Sequence, residues 1–343
     1  MSQANQLIAM MTKIRGSTMS NAVDRLETVA EELGVDTDSL KPETCNFVSR
    51  IIRYPKMDEA LKLIDGGRKH AVASGKGTGM LLLGEPGVGK SVIIGKYVQE
   101  YFGVPKANES DVLTKCPVLK LSVPAKATVT SLLSKILRAA KHPKPTGSYS
   151  ELVGRIETLV QEQGVQMIIL DEFQHLLRRQ AQISTRNVVN EIKVLMDDHG
   201  LAILLCGITD GFDLISEHEE LYQRFTYEQI ALTPFDVQTE EEHAAFKAYI
   251  NVCCMIVKDS GVKCIDLTSK TMLQRLLLAT AGKARLINRL FVKVLETSDL
   301  SKGINNADFH DAYERARLNP KIGMKNPFKM SPSKVNETCG WYK

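Results

Sequence analysis

The chain has 343 residues, 43% of them hydrophobic and 24% charged, which is the balance of an ordinary soluble protein with room for one large two-part domain or two small ones. No apolar run reaches the length of a membrane span, and the start MSQANQLIAMMTKIRGS lacks the features of a signal peptide, so a cytoplasmic protein is expected. The net charge of +4 is unevenly placed: Arg315 to Lys343 holds seven basic residues against one acidic, leaving the remainder at −2, so the body is not a uniformly basic nucleic-acid binder.

Residues 1–56 read as a helical N-terminal extension, in which AVDRLETVAEEL has apolar residues at helical spacing and GVDTDSLKPE is a turn-rich break. A second helical stretch, MDEALKLIDGGRKHAVA, leads into the first of several short apolar runs. GMLLLG, PVLKLSV, VQMIILDE, LAILLCG and YEQIAL read as strands. Between the first four lie the helical stretches SVIIGKYVQEYF, TVTSLLSKILRAA with ELVGRIETLV, and NVVNEIKVLMDDHG. Strands separated by helices predict an α/β fold, a parallel sheet covered on both faces. After Thr233-Pro234 only helical periodicity continues, predicting a small all-helical second domain over 236–317. Residues 318–343, lysine-rich and aperiodic, read as a basic flexible tail. The seven cysteines form no CxxC pair and several sit inside apolar runs, so buried reduced thiols are expected rather than a metal or disulfide framework.

The first strand breaks into GEPGVGKS, which fits the phosphate-loop pattern G-x-x-x-x-G-K-[ST] between a strand and a helix. The loop residues Gly84, Glu85, Pro86, Gly87, Val88 and Gly89 offer backbone N–H groups to a triphosphate, the glycines keeping Cβ atoms out of the way. The following helix directs the positive end of its dipole at the same oxygens. Lys90 is expected on the β and γ phosphates of ATP and the Ser91 hydroxyl on Mg²⁺. A glycine-rich turn matching by chance is the alternative.

MIILDE ends a buried strand in two acids 81 residues after Lys90. Asp171 is the candidate to hold Mg²⁺ through water, and Glu172 to polarise the attacking water; a solvated strand end is the bland alternative. Arg285, in GKARLINRL, and Arg224, in YQRF, are candidates for transition-state charge, the second reaching a neighbouring subunit's γ-phosphate. Lone arginines are more often surface charge. Thr209, after LAILLCGI, is the candidate polar monitor of the γ-phosphate.

Taken in order, Gly84–Ser91, Met167–Glu172, a polar residue after the fourth strand, QRF and GKAR resemble an AAA+ P-loop ATPase over residues 57–317. The resemblance implies a five-stranded parallel sheet of order 5-1-4-3-2 in an α/β domain at 57–235, a helical lid at 236–317, and nucleotide held between subunits. VLKLSVPAKATVTSLLSKILRA, LDEFQHLLRR and LAILLCGITDG resemble, more closely, the TniB/TnsC group of transposition regulators, related to MuB and IstB. That resemblance implies a bacterial, nucleoid-associated protein whose ATP-bound copies assemble as a ring or filament on double-stranded DNA. Such assemblies link a target-selection protein to a transposase.

Carried onto this chain, the resemblance puts Lys126 and Thr128 of PAKAT on DNA, with Lys120 and Lys106 as further candidates. A lysine and a hydroxyl can both bond phosphate oxygens, and repetition along a filament would multiply weak contacts that are tolerant of sequence and sensitive to salt. Equally, Thr128 or Thr130 caps the helix and Lys126 is solvated. Two other functions fit the parts: a helicase-loader or initiator-type AAA+ protein, and an ATP-gated interaction switch without DNA contact. The loop carries no aromatic residue for stacking on single strands, which favours duplex backbone contact.

Overall fold

A computed structural model describes residues 19–102, 116–124, 127–175, 182–216, 219–316, 318 and 326–339. They divide into two compact units: described residues of 56–86 and 90–233 form one, and those of 1–55, 87–89 and 234–343 the other.

The first unit is built on strands β1 (Thr78–Gly84), β2 (Val118–Ser122), β3 (Met167–Asp171), β4 (Ala202–Gly207) and β5 (Glu228–Leu232). All pair in parallel in the order β2-β3-β4-β1-β5, as the resemblance implied. The expected burial on both faces holds for β1 and β4, whose residues are buried throughout. Leu81, Leu83, Leu119, Leu121, Ile168, Leu170, Ile203 and Leu205 point to one face. There they meet α5 (Val129–Ala139), α6 (Tyr149–Gln163) and α7 (Gln182–His199). The opposite face carries Met80 and Leu82, and α3 (Pro55–Ser74) comes so close at Gly67 that a Cβ there would collide with the Met80 side chain. α4 (Lys90–Phe102) follows the phosphate loop. Two short helices, α8 (Gly211–Ser216) and α9 (Glu219–Arg224), fill the stretch before β5; their six residues are too few for periodicity to reveal.

At the end of the sheet where β3 begins, Asp65 is 5% exposed and accepts from Arg68 Nη2 at 2.8 Å, while Lys69 Nζ bonds its other oxygen at 2.8 Å. Arg68 also donates to Gln166 Oε1 and to the Tyr97 hydroxyl, so a polar network joins α3, α4 and the residue before β3. Burial raises the Asp65 carboxyl, but the hydrogen bonds and charges of Lys69 and Arg68 outweigh it and leave the group below its ordinary value.

The second unit is helical: α1 (Met19–Leu33), α2 (Pro42–Ser49), α10 (Glu240–Asp259), α11 (Lys270–Thr280), α12 (Ala284–Thr297), α13 (Asn306–Ala316) and α14 (Pro332–Cys339). The sequence reading separates the N-terminal extension from the later helices, whereas the structure joins them in one core. Phe47 of α2 stacks on Phe291 of α12 with ring centroids 5.3 Å apart and planes within 9°. Lys41 donates from Nζ to the carbonyls of Leu295 and Ser298 at the C-terminal end of α12, and from its backbone N–H to Glu296. A cation there satisfies carbonyls the helix cannot and opposes its dipole.

The expected flexible tail is also different in structure over 326–339. A 3₁₀ turn, Pro327–Lys329, and α14 bury Phe328 and Val335. Phe328 lies on Phe309 with centroids 5.6 Å apart, Arg275 donates to the Met330 carbonyl and Gln274 to Asn336. Single apolar anchors, fixed by polar bonds to another helix, leave no periodic signal in a lysine-rich stretch.

Candidate functional site

The phosphate loop takes its shape from two glycines in the left-handed region, Gly87 at φ +89° and Gly89 at φ +112°. That region costs other residues a clash with their own Cβ. Lys90 opens α4 and its ammonium donates to the carbonyls of Gly84 at 2.6 Å and Glu85 at 3.0 Å. Burial lowers the Lys90 pKa, opposed by the nearby Cys206 and Asp171. Ser91 is the next residue of the helix and is exposed.

The loop tip has its own supports. Arg285, in the first turn of α12, donates from its backbone N–H to the Gly87 carbonyl at 3.0 Å, so one of the amides that a helix start leaves unpaired is used on the loop. The Tyr54 hydroxyl donates to the Val88 carbonyl at 3.3 Å, its ring set against Phe235 and Tyr249. Burial raises the Tyr54 phenol to about 12, so it remains a donor.

Strand order puts β4 between β1 and β3, so the carboxyl ends of those three strands hold the phosphate loop, the post-β4 residues and the two acids side by side. Asp171 pairs in register with Cys206, and its carboxylate is near enough to the thiol to raise it, after burial, well above the ordinary range. The Asp171 carboxylate thus lies close enough to act electrostatically on both Lys90 and Cys206. Thr209, exposed, lies in the turn after β4, where its carbonyl accepts from Phe212. Phe173, fully buried beside the acids, fits under Gly207 and Gly211 on either side of that turn.

Glu172 has a backbone φ of +57°, rare outside glycine and costly unless its surroundings enforce it. The surroundings are visible: its N–H donates to Asp171 Oδ1 at 3.0 Å, its carbonyl accepts from His175, and its carboxylate accepts from the Ser122 hydroxyl at 3.2 Å with His175 Nε2 3.7 Å away. Ser122 and His175 were not singled out in the sequence. Ser122 acquires its place only through the β2–β3 register, in which it sits opposite Asp171.

Among the described residues no group of three or more acids, histidines or cysteines could hold a metal. Asp171 and Ser91 supply one carboxylate and one hydroxyl, which suits Mg²⁺, an ion that keeps several waters and leans on substrate phosphates.

Arg224 is apart from this assembly. It ends α9, and Gly79 at the start of β1 lies so close to the Arg224 carbonyl and the Phe225 ring that a Cβ at Gly79 would clash with both. From Gly79 to Gly84 the strand runs five residues, about 16 Å at the usual rise, farther than an arginine side chain extends. Its guanidinium pairs instead with Asp197 on α7, a partner the sequence reading did not single out.

Of the residues expected on DNA, Lys126 and Lys106 lie outside the described residues. Thr128 is the N-cap of α5, its hydroxyl accepting from the Ser131 N–H at 3.2 Å while the Ser131 hydroxyl accepts from the Thr128 N–H at 2.8 Å. Lys120 is exposed on edge strand β2, and its charge is felt at Cys206.

A family model described as "Bacterial TniB protein" matches residues 47–235, more than half of the chain. No curated protein matches it. Among solved structures, Cdc6p from Pyrobaculum aerophilum is similar with a TM-score of 0.56 at 16% identity, over 79% of this chain and 70% of that one. The Aeropyrum pernix ORC1 protein in complex with DNA gives 0.54 at 14%, over 84% and 85%. Drosophila ORC bound to DNA gives 0.52 at 14%, over 84% and 69%. At such identities the likeness establishes the fold.

Proposed function

The chain belongs to the TniB family and is an AAA+ ATPase, and from that premise we propose that it is an ATP-dependent, DNA-binding regulator of transposition that works as a homo-oligomer on duplex DNA. The observation that carries the oligomer is the position of Arg224. An arginine pinned at the start of β1 has no access to the phosphates of its own loop, but a second copy of the chain could receive it. Bound ATP would then join copies, and weak DNA contacts repeated along the assembly would act together.

In this reading Lys90 and the loop amides hold the β and γ phosphates, while Asp171 and Ser91 hold Mg²⁺, which neutralises charge developing on them. Glu172, fixed by Ser122 and its own backbone, orients a water and takes its proton. Thr209 contacts the γ-phosphate, Arg285 approaches the nucleotide from the loop tip, and the neighbour's Arg224 stabilises the transition state. Hydrolysis removes the phosphate that joins copies and so disassembles them. The DNA face is assigned to the loop before α5, with Lys126 as its phosphate contact and Thr128 shaping the helix start. The transposase and the target-selection protein are partners of the assembled form.

The two similar ORC structures, both bound to DNA, favour a second reading, an initiator or helicase-loader protein acting on replication DNA. Electron microscopy of the full chain with duplex DNA, with and without a non-hydrolysable ATP analogue, tests the proposal. Rings or filaments are expected only when both are present. Solitary copies under saturating nucleotide and duplex would overturn it.

A further inference from the structure

Asp197 lies in the last turn of α7 (Gln182–His199), where the carbonyl end of the helix dipole disfavours a negative charge. Helix stability therefore gives no reason for an acid at this position. The reason lies across the surface, where Asp197 Oδ1 takes Arg224 Nη1 in an ion pair. Both side chains are part-exposed, so the pair adds little to folding. It does fix a direction. The backbone of Arg224 is already held, because Phe225 is fully buried beside Gly79 and its N–H donates to the Tyr222 carbonyl at 3.0 Å. Only the side chain keeps its freedom, and Asp197 takes one of its nitrogens. Nη2 and Nε have no partner among the described residues and remain available to an anion.

We infer that Asp197 is a positioning residue for hydrolysis on a neighbouring copy of the chain: it holds the guanidinium of Arg224 in the attitude in which its free nitrogens meet the neighbour's γ-phosphate. The inference rests on the reading of Arg224 as an arginine supplied in trans. A planar guanidinium recognises phosphate oxygens through a fixed fork, so its attitude matters more than its charge alone. An unheld side chain would have to be ordered at the moment of reaction, and such a cost falls on the chemical step rather than on ATP binding.

The test uses the full chain assembled with ATP and duplex DNA. Asp197→Ala should lower kcat by roughly 10- to 100-fold while KM for ATP stays within about twofold. Asp197→Asn, which keeps the volume, should also lower kcat, and Asp197→Glu should recover part of the loss. In the Arg224→Ala background, Asp197→Ala should have no further effect. As a control against simple misfolding, Lys90→Ala copies, unable to hydrolyse ATP themselves, are mixed with Arg224→Ala copies. They should restore hydrolysis, and Lys90→Ala/Asp197→Ala copies should restore it less. If Arg224→Ala leaves kcat at the wild-type value, the trans reading itself fails. If Arg224→Ala lowers kcat but the Asp197 variants do not, or if the two losses multiply in the double variant, the trans reading stands and the positioning role of Asp197 is overturned.

Discussion

The Ser122 hydroxyl donates a hydrogen bond to Glu172 Oε2 at 3.2 Å, so the last residue of edge strand β2 holds the carboxylate assigned to activate water. Glu172→Gln keeps an oxygen able to accept that bond but removes the base. ATP affinity and ATP-dependent assembly should be retained while kcat falls by about 10²- to 10⁴-fold. Single-turnover hydrolysis alongside nucleotide binding measures both. A variant hydrolysing at the wild-type rate would mean that water is activated by another group.

Lys90 is held by the carbonyls of Gly84 and Glu85, so its ammonium stays inside the loop. Lys90→Ala should weaken ATP binding by at least tenfold, the scale of one lost charge-assisted contact, and abolish nucleotide-dependent assembly of the variant on its own, while a partner copy with an intact loop can still bind ATP against it. Titration with a fluorescent ATP analogue and sedimentation with duplex DNA provide the readouts. Assembly that persists with ATP would remove Lys90 from the phosphate-binding role.

Arg224 should behave as a residue supplied from outside. Arg224→Ala should reduce kcat by about 10³-fold or more without weakening ATP binding to the isolated chain. Hydrolysis measured over a range of protein concentrations should rise with concentration in the wild type and lose that rise in Arg224→Ala.

Thr128 caps α5 through Ser131, which separates its structural and DNA roles. Thr128→Ser keeps the cap, whereas Thr128→Ala should cost about 1 kcal/mol of stability. Lys126→Ala, in contrast, should weaken duplex binding and reduce its salt dependence. Unchanged DNA affinity in Lys126→Ala would move the DNA face elsewhere.

Asp65 gives a pH-dependent prediction. Its folded-state pKa lies below the ordinary value, so its contribution is present above about pH 4 and is lost as pH falls through the folded value. Asp65→Asn should destabilise the α/β unit by about 3 kcal/mol near neutrality, because it removes the charge that Asp65 brings to its ion pairs with Arg68 and Lys69. Urea midpoints between pH 7 and 3 should show the difference from wild type shrinking as acid neutralises Asp65. A gap independent of pH would assign the effect to packing.

The parts written as local patterns were legible in the sequence. The phosphate loop is a contiguous run whose glycines and lysine have fixed roles, and the five strands are apolar runs bounded by breakers. Legibility failed where meaning depends on register or on distant chain. Ser122 matters because β2 pairs with β3, and Asp197 because α9 returns beside α7; neither neighbour is visible from the residue's own surroundings. The anchoring of Phe328 was hidden for a related reason. One aromatic ring among lysines has no period, and its burial is decided by Phe309 and Arg275 far earlier in the chain.

Helix α12 has a different fastening at each end: its first turn donates through Arg285 to the Gly87 carbonyl, and its last carbonyls receive the Lys41 ammonium. A shortened protein beginning after residue 50, made only to trim the amino terminus, would release one of those fastenings. It would also remove the Phe47 ring from Phe291 midway along the same rod. Slow turnover in such a truncation would then report a loosened strut behind the nucleotide loop, and ought not to be taken as the loss of a recruiting surface.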